Sequence, residues 1–228
     1  MNTDNIKDRF NLIARDYDSQ RRMFISCYDD YYLSMVDFIS RSFNKPKTIV
    51  DLGAGTGLLT KFFYDKYPDA NYILIDISDQ MLEVAKRRFE GINTFHYIVS
   101  DYTTKLNFND VDLVISGLSM HHMTNNEKLN LYKNIYNKLT PQGVFANFDQ
   151  FNAESSAINE LYNKYWYNQI QNSGLLQNEY DKWLKRRELD KENTIEETIN
   201  MLKQSGFNSA ECIYKYMKFG VVIAQKIT

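Results

Sequence analysis

The sequence predicts an α/β fold: a doubly wound sheet of seven strands, mostly parallel, that ends in an antiparallel hairpin and carries helical segments outside the alternation. Three observations predict it. Apolar strand candidates alternate with amphipathic helical candidates from Thr48 to Phe148. A turn with three glycines, Gly53, Gly55 and Gly57, joins the first strand to the first helix of that alternation. Two further strand candidates close the chain with very little sequence between them. Alternation of this kind requires a parallel sheet covered on both faces, and a short connection forces the last two strands to pair antiparallel.

Taken in order, residues 5–45 are expected to be helical, with Phe10, Ile13, Ala14 and Tyr17 on one apolar stripe and Tyr32–Phe43 forming another. Strands are expected at Thr48–Leu52, Tyr72–Asp76, Phe95–Ser100, Val111–Leu118 and Val144–Phe148, and helices at Leu58–Tyr67, Asp79–Phe89 and Asn125–Leu139. The connection between Ser100 and Val111 is short and polar, so any helix there is brief. Thr124-Asn125-Asn126-Glu127 and Thr194-Ile195-Glu196-Glu197 both have the capping-box pattern, in which a threonine hydroxyl and a glutamate three residues on satisfy each other's backbone amides. Ile195, Ile199 and Leu202 line one face of the last helix, and Gly206 with Phe207 stops it. Residues 153–190 are long, aromatic and helix-like. The hairpin strands are Ala210–Met217 and Phe219–Ala224.

A chain of 228 residues is long enough for one sizeable α/β domain. A formal net charge of −2 gives no electrostatic footprint for nucleic acid, so no nucleic-acid partner is expected. Cys27 and Cys212 fit neither a disulfide framework nor a zinc spacing, which favours a reducing cytosol. Met1-Asn2-Thr3-Asp4 lacks the basic start and apolar core of a signal peptide, and no apolar run approaches the ~20 residues of a membrane span. The expected location is cytoplasmic, away from membranes.

The stretch Val50-Asp51-Leu52-Gly53-Ala54-Gly55-Thr56-Gly57 is the most specific motif. Glycines at such a strand-to-helix turn let the backbone reverse sharply and let a ligand approach without a Cβ in the way. The spacing is G-x-G-x-G. Leu58 stands where a dinucleotide fingerprint has its third glycine, and the Gly-Lys-Ser/Thr of a phosphate loop is absent. The segment resembles motif I of the class I S-adenosylmethionine (SAM) dependent methyltransferases. The resemblance extends through the layout of the whole chain and is residue-specific mainly from about 48 to 150. It implies a Rossmann-like fold in one domain: an N-terminal helical cap (1–45), a SAM-binding core (46–150), a helical lid insertion (151–192), and a last helix with the terminal hairpin (193–228).

Ligands of an open α/β sheet bind beyond the carboxyl ends of the strands. At the end of the first strand, the resemblance implies that the backbone of Gly53, Ala54, Gly55 and Gly57 contacts the methionine carboxylate and ribose, with Asp51 near the methionine ammonium. At the second, Asp76 follows Gly57 at close to the ~20-residue interval of a ribose-binding acid. Its two carboxylate oxygens suit two ribose hydroxyls. Ile77 and Met81 are expected to flank the adenine. At the third, the resemblance gives Asp101 to the adenine amine and the backbone of Tyr102 to the ring. At the fourth, the resemblance implies that Ser116 and Gly117 lie beside the sulfonium. The N-terminal Tyr17-Asp18-Ser19-Gln20-Arg21-Arg22 resembles an element that folds over SAM, with Tyr17 packing on the ligand and Arg21 or Arg22 meeting its carboxylate.

The catalytic candidates are His121, His122 and Asp149. The chain has three histidines, and two stand together just beyond the fourth strand, where one of them can act as a base near neutral pH. The alternative is a pair that anchors the loop. Asp149, at the end of the fifth strand, can accept a substrate proton, pair with an amine or cap the next helix. No metal site is expected, because no cluster of acids and histidines at ligand spacing accompanies the pair. His96 reads as structural. Tyr162, Tyr165, Trp166, Tyr167, Tyr180 and Trp183 either wall an apolar substrate site or simply pack. Lys182, Lys185, Arg186, Arg187 and Lys191 form a solvated helix face, unless several turn inward and so favour an anionic substrate.

The reading is therefore methyl transfer from SAM to a small-molecule acceptor by in-line displacement, with S-adenosylhomocysteine as product and a monomer or homodimer as the assembly. The rivals are a tRNA or protein methyltransferase, a nicotinamide dehydrogenase, which Leu58 and the terminal hairpin disfavour, and a non-catalytic SAM-binding or S-adenosylhomocysteine-binding regulator.

Overall fold

In the computed structural model, residues 3–14, 17–104 and 106–227 are described. Residues 1 and 2 of the N-terminal segment, and 15 and 16 of the expected helical cap, lie outside the described residues. Helices α1 (Thr3–Ile13), α2 (Tyr17–Phe24) and α3 (Met35–Ser42) precede the sheet. A π-helical turn, Asp29–Ser34, leads into α3, so the Tyr32–Phe43 stripe is not one regular helix.

All seven expected strands are present: β1 (Thr48–Leu52), β2 (Asn71–Asp76), β3 (Phe95–Val99), β4 (Val111–Gly117), β5 (Leu139–Gln150), β6 (Ser209–Tyr216) and β7 (Phe219–Gln225). Between them run α4 (Leu58–Tyr64), α5 (Asp79–Arg88) and α6 (Asn125–Lys138), then α7 (Ser156–Gln171), α8 (Gln177–Arg187) and α9 (Ile195–Gln204). The sheet order is β3-β2-β1-β4-β5-β7-β6. β1 pairs parallel with β2 on one side and β4 on the other, while β7 pairs antiparallel with β5 and β6. The chain thus builds outward from β1 in one direction and then in the other. That reversal leaves a crevice at the carboxyl ends of β1 and β4.

Side-chain alternation decides which residues cover each face. Leu113 and Ile115 join a core with Tyr31, Tyr32, Phe63, Tyr72 and Phe148. Val114, between them, joins the opposite core with Leu131, Tyr132, Ile135, Phe145 and Phe207. Full burial of each large apolar side chain contributes about 1.5–3 kcal/mol, so both helical layers are held to the sheet mainly by these contacts.

Both capping boxes form as expected: Thr124 with Glu127 on α6, and Thr194 with Glu197 on α9. Two boundaries differ from expectation by more than two residues. α4 ends at Tyr64, because Lys66, Tyr67 and Ala70 turn back through short-range backbone bonds. β5 begins at Leu139, since Leu139 pairs with Val111 ahead of the Gln142-Gly143 irregularity. No helix of the described residues is long and apolar enough to cross a membrane.

Candidate active site

The glycine turn sits at the mouth of the crevice. Gly53, Gly55 and Gly57 all have positive φ, at 72°, 55° and 73°. A Cβ on Gly53 would meet Ser119 Oγ at 2.0 Å, whereas a Cβ on Gly55 would meet no protein atom within 4 Å and would point into open space. Gly57 instead lies under the Phe89 ring as the N-cap of α4.

Two hollows meet at this turn, and a third adjoins the larger of them. The main cavity, about 580 Å³, is lined by Tyr17, Gly53, Gly55, Asp76, Ile77, Met81, Asp101, Tyr102 and Gly117, with Phe10, Thr103, Leu118, Ser119 and His122 completing the wall. A recess of about 330 Å³ beneath it is lined by Asp51, Ala54, Thr56 and Tyr32 among others. A side chamber of about 390 Å³ holds Arg21, His121, His122, Gln150, Trp183, Arg186 and Asp190, and shares Phe10, Tyr17, Leu118 and His122 with the main cavity.

Most of the site residues expected from the sequence therefore converge, and three do not reach a hollow. Gly57 serves the turn and the helix start. Ser116 is fully buried, with its hydroxyl donating to Leu52 O at 2.8 Å, which ties β4 to β1. Asp149 lies behind His121, its Oδ1 2.5 Å from His121 Nδ1, and does not cap a helix. Between the adjacent arginines, Arg21 is the inward one, stacked on Tyr17 with its guanidinium carbon 3.8 Å from the ring centroid. Arg22 is exposed and paired with Asp29.

Burial tunes Asp76 and Asp51. Asp76 accepts from the Gly55 amide through Oδ2 and from the Ser78 amide through Oδ1, each at 2.8 Å. Burial nevertheless raises it to about 6. Asp51 accepts from Thr60 Oγ1, while its Oδ1 is buried without a partner; burial raises it to about 7. Asp101 folds an Asx turn, accepting from Thr103 N and Oγ1. The Tyr102 hydroxyl bonds Ser119 Oγ across the base of the main cavity.

The chamber has a second construction that the sequence did not disclose. Residues 187–193 are stitched down from several sides. Lys191 N donates to His121 O, Lys128 Nζ donates to Lys191 O and Asn193 Oδ1, and Asn152 N donates to Asn193 O. Arg187 Nη1 donates to Gln150 Oε1, Asp190 Oδ2 and Glu192 Oε1. Asp190 Oδ1 is thereby set 3.6 Å from His121 Nε2 and 3.3 Å from His122 Nδ1. The expectation that no acid accompanies the histidine pair is thus corrected. His121, His122 and Asp190 converge with ligand atoms within 4.8 Å of one another, an arrangement able to hold a metal ion. The acid comes from a remote turn after α8, and no local spacing could reveal it.

Burial opposes charge on His121, but the Asp149 and Asp190 carboxylates outweigh it and hold His121 above its ordinary value. His122 is shifted down, by burial and by His121. Arg186 is driven down to about 10 by burial and by Arg21, a like charge facing the same chamber. Neither guanidinium is paired with a carboxylate among the described residues. Arg186 and Arg187 turn inward from the basic face of α8, while Lys182 and Lys185 stay exposed. Of the aromatics on α7 and α8, Trp183 lines the chamber, and Trp166 packs in the core with its indole N–H on Phe24 O.

Residues 49–143 match the model of the methyltransferase domain family. The chain is 25% identical over 222 residues to the carboxy-S-adenosyl-L-methionine synthase of Helicobacter hepaticus, covering 94% of this chain and 92% of that protein. It is 31% identical over 126 residues to the malonyl-[acyl-carrier protein] O-methyltransferase of Neorickettsia risticii, covering 55% and 48%. Human N-acetylserotonin methyltransferase in complex with SAM superposes with a TM-score of 0.62 at 18% identity, over 88% of this chain and 52% of that one, so the chain spans about half the length of that protein.

Proposed function

We propose a chemistry for this site from one premise, that the chain is a class I SAM-dependent methyltransferase whose cofactor is SAM: it methylates a small acceptor that carries a carboxylate. The main cavity takes the adenosine of SAM. Asp76 receives the ribose hydroxyls on the lone pairs its two amide bonds leave free, and Asp101 and Tyr102 meet the adenine edge. The recess takes the methionine part, with its ammonium on the unpartnered Oδ1 of Asp51. The sulfonium then stands near Gly117 and Leu118, where the main cavity opens into the side chamber.

The observation that carries the acceptor class is the pair of guanidiniums in that chamber. Arg21 and Arg186 are partly desolvated, face one space and have no carboxylate partner among the described residues. Two such groups are favourable only when an anion joins them, and a planar fork matches a carboxylate. The names of two relatives agree with this: one makes carboxylated SAM and the other methylates malonyl groups.

SAM brings its own leaving group, so catalysis is mainly alignment and exclusion of water. The attacking atom donates an electron pair to the methyl carbon as the carbon–sulfur bond breaks, and S-adenosylhomocysteine leaves neutral at sulfur. A carboxylate oxygen needs no base. For a hydroxyl, His122 is the proton acceptor: it is the neutral member of the pair and lines both spaces. His121 is fixed beside it by Asp149 and Asp190.

A second reading is favoured by the Helicobacter relative, which matches nearly end to end: SAM itself is the acceptor and leaves carboxylated, a carboxylic acid giving up its carboxyl group to the methyl carbon and taking the displaced methyl proton in its place. The test is incubation with SAM and a panel of carboxylic acids beside their amide isosteres, followed by mass spectrometry. Formation of S-adenosylhomocysteine with the acids and not the amides supports methyl transfer to a carboxylate-bearing acceptor. Equal turnover of the amides overturns the acceptor class. A heavier SAM species without S-adenosylhomocysteine selects the second reading.

A further inference from the structure

We propose that His121 Nε2, His122 Nδ1 and Asp190 Oδ1 form a binding site for one first-row divalent transition-metal ion at the junction of the cofactor cavity and the acceptor chamber. The site goes beyond the reading above and does not depend on the acceptor being a carboxylate.

The spacing fits an ion better than a set of hydrogen bonds. Asp190 Oδ1 is 3.6 Å from His121 Nε2 and 3.3 Å from His122 Nδ1. Metal–ligand bonds of about 2.0–2.2 Å in a tetrahedron hold neighbouring ligand atoms about 3.3–3.6 Å apart. As hydrogen bonds these contacts fail. The first is too long, and the second leaves His122 Nδ1 without a partner although the side chain is only 8% exposed. A buried ring nitrogen 3.3 Å from a carboxylate oxygen that it does not bond suits an ion that both would ligate.

The outer groups are those that orient metal ligands. His121 presents Nε2 because Nδ1 is held 2.5 Å from Asp149 Oδ1, the carboxylate–histidine arrangement that fixes tautomer and ring angle. Asp190 presents Oδ1 because Arg187 holds Oδ2 at 2.9 Å. The Phe10 ring lies edge-on to His122, with centroids 5.7 Å apart, and blocks the far side. The fourth direction opens into the chamber lined by Gln150 and Arg186. Two imidazoles and one carboxylate with an open position favour zinc, iron, cobalt or manganese over the oxygen-ligated magnesium and calcium. An acceptor oxygen entering the open position would be oriented toward the sulfonium and acidified by the ion, performing the same task as a base on His122.

The experiment uses the full chain without an affinity tag, stripped with chelator and titrated with Co²⁺, then with Zn²⁺ in competition. Three readouts are followed: visible absorption, calorimetric stoichiometry and the imidazole NMR signals of the three histidines. One ion per chain is expected, with paramagnetic shifts on His121 and His122 and none on His96, which lies on β3. Asp190→Asn should weaken Co²⁺ binding about 100-fold, and Asp149→Asn, which removes only the orienting carboxylate, about 10- to 100-fold. S-adenosylhomocysteine affinity should stay unchanged in the Asp190 variant. The proposal is overturned if stripped wild-type protein takes up no Co²⁺, if His96 is shifted instead, or if an Asp190→Asn protein that still binds S-adenosylhomocysteine keeps wild-type Co²⁺ affinity. S-adenosylhomocysteine binding without metal uptake would sink this site alone. Metal uptake without that binding would instead sink the assignment of the cofactor cavity.

Discussion

Thr60 Oγ1 donates to Asp51 Oδ2 at 2.5 Å, while Oδ1 of the same carboxylate is buried with no partner. Burial raises Asp51 to about 7, so in the empty protein it is ionised in only part of the population at neutral pH. A methionine ammonium on Oδ1 favours the ionised form. SAM binding should therefore release a proton at low pH, and its affinity should climb by up to about tenfold per pH unit below pH 7 and level off above it. Folding of the empty protein has the opposite sign. A raised acid contributes stability that is fully present below its unfolded value near 3.8 and is lost as pH rises through about 7. Calorimetry across pH in wild type and Asp51→Asn tests both. A SAM affinity with the same pH slope in the variant would remove Asp51 from the ammonium.

Asp76 differs from Asp51 in having both oxygens engaged by backbone amides, Gly55 N and Ser78 N. Asn at this position would point an NH₂ at one of those amides, so both the turn and the ribose contact suffer. Asp76→Asn should weaken S-adenosylhomocysteine binding about 10- to 100-fold, as expected for hydrogen bonds to a charged group. The sharper check is a 2′-deoxy analogue: wild type should discriminate against it and the variant should not. Equal discrimination in both would assign the ribose elsewhere.

Why the residues around the main cavity were legible and those of the side chamber were not follows from where they lie. Asp51, Gly53, Gly55, Asp76, Asp101 and Gly117 each sit at the end of a strand, and strand order brings such ends together in any doubly wound sheet. The side chamber is built by tertiary stitching instead. Arg186 and Asp190 leave a helix and turn whose sequence reads as a solvated basic face, and the turn is held by Lys128, Asn152 and Gln150 from other elements. Ser116 and Gly57 misled in the other direction. Position at a strand end placed them correctly, but the first points into the sheet and the second under Phe89.

Gly53 and Gly55 should respond differently to the same added methyl. Gly53 has φ 72° and no room, since a Cβ would lie 2.0 Å from Ser119 Oγ, itself bonded to Tyr102. Gly53→Ala should destabilise the fold by about 1–3 kcal/mol through left-handed strain, with the clash added. Gly55→Ala has space, so it should cost only about 1 kcal/mol while its methyl occupies the cofactor cavity. Thermal unfolding with and without S-adenosylhomocysteine separates the two. Gly55→Ala should unfold near the wild-type temperature yet gain little from ligand. A full ligand shift in that variant would mean the cofactor does not cross the turn.

Arg186 and Lys185 are neighbours on α8 with opposite surroundings, the first facing Arg21 in the chamber and the second in solvent. Arg186→Gln should raise KM for a carboxylate acceptor about 10- to 100-fold, the range for losing a charge-assisted pair, while kcat and SAM affinity change little. Removing one of two like charges also relieves repulsion that burial and Arg21 impose, enough to hold Arg186 at about 10. The empty variant should therefore be at least as stable as wild type. Loss of acceptor affinity without loss of stability is the signature of a group arranged for a ligand rather than for the fold. Lys185→Gln should change neither quantity. If Arg186→Gln lowers stability and leaves KM untouched, the guanidinium pair is structural and the anionic acceptor must be abandoned.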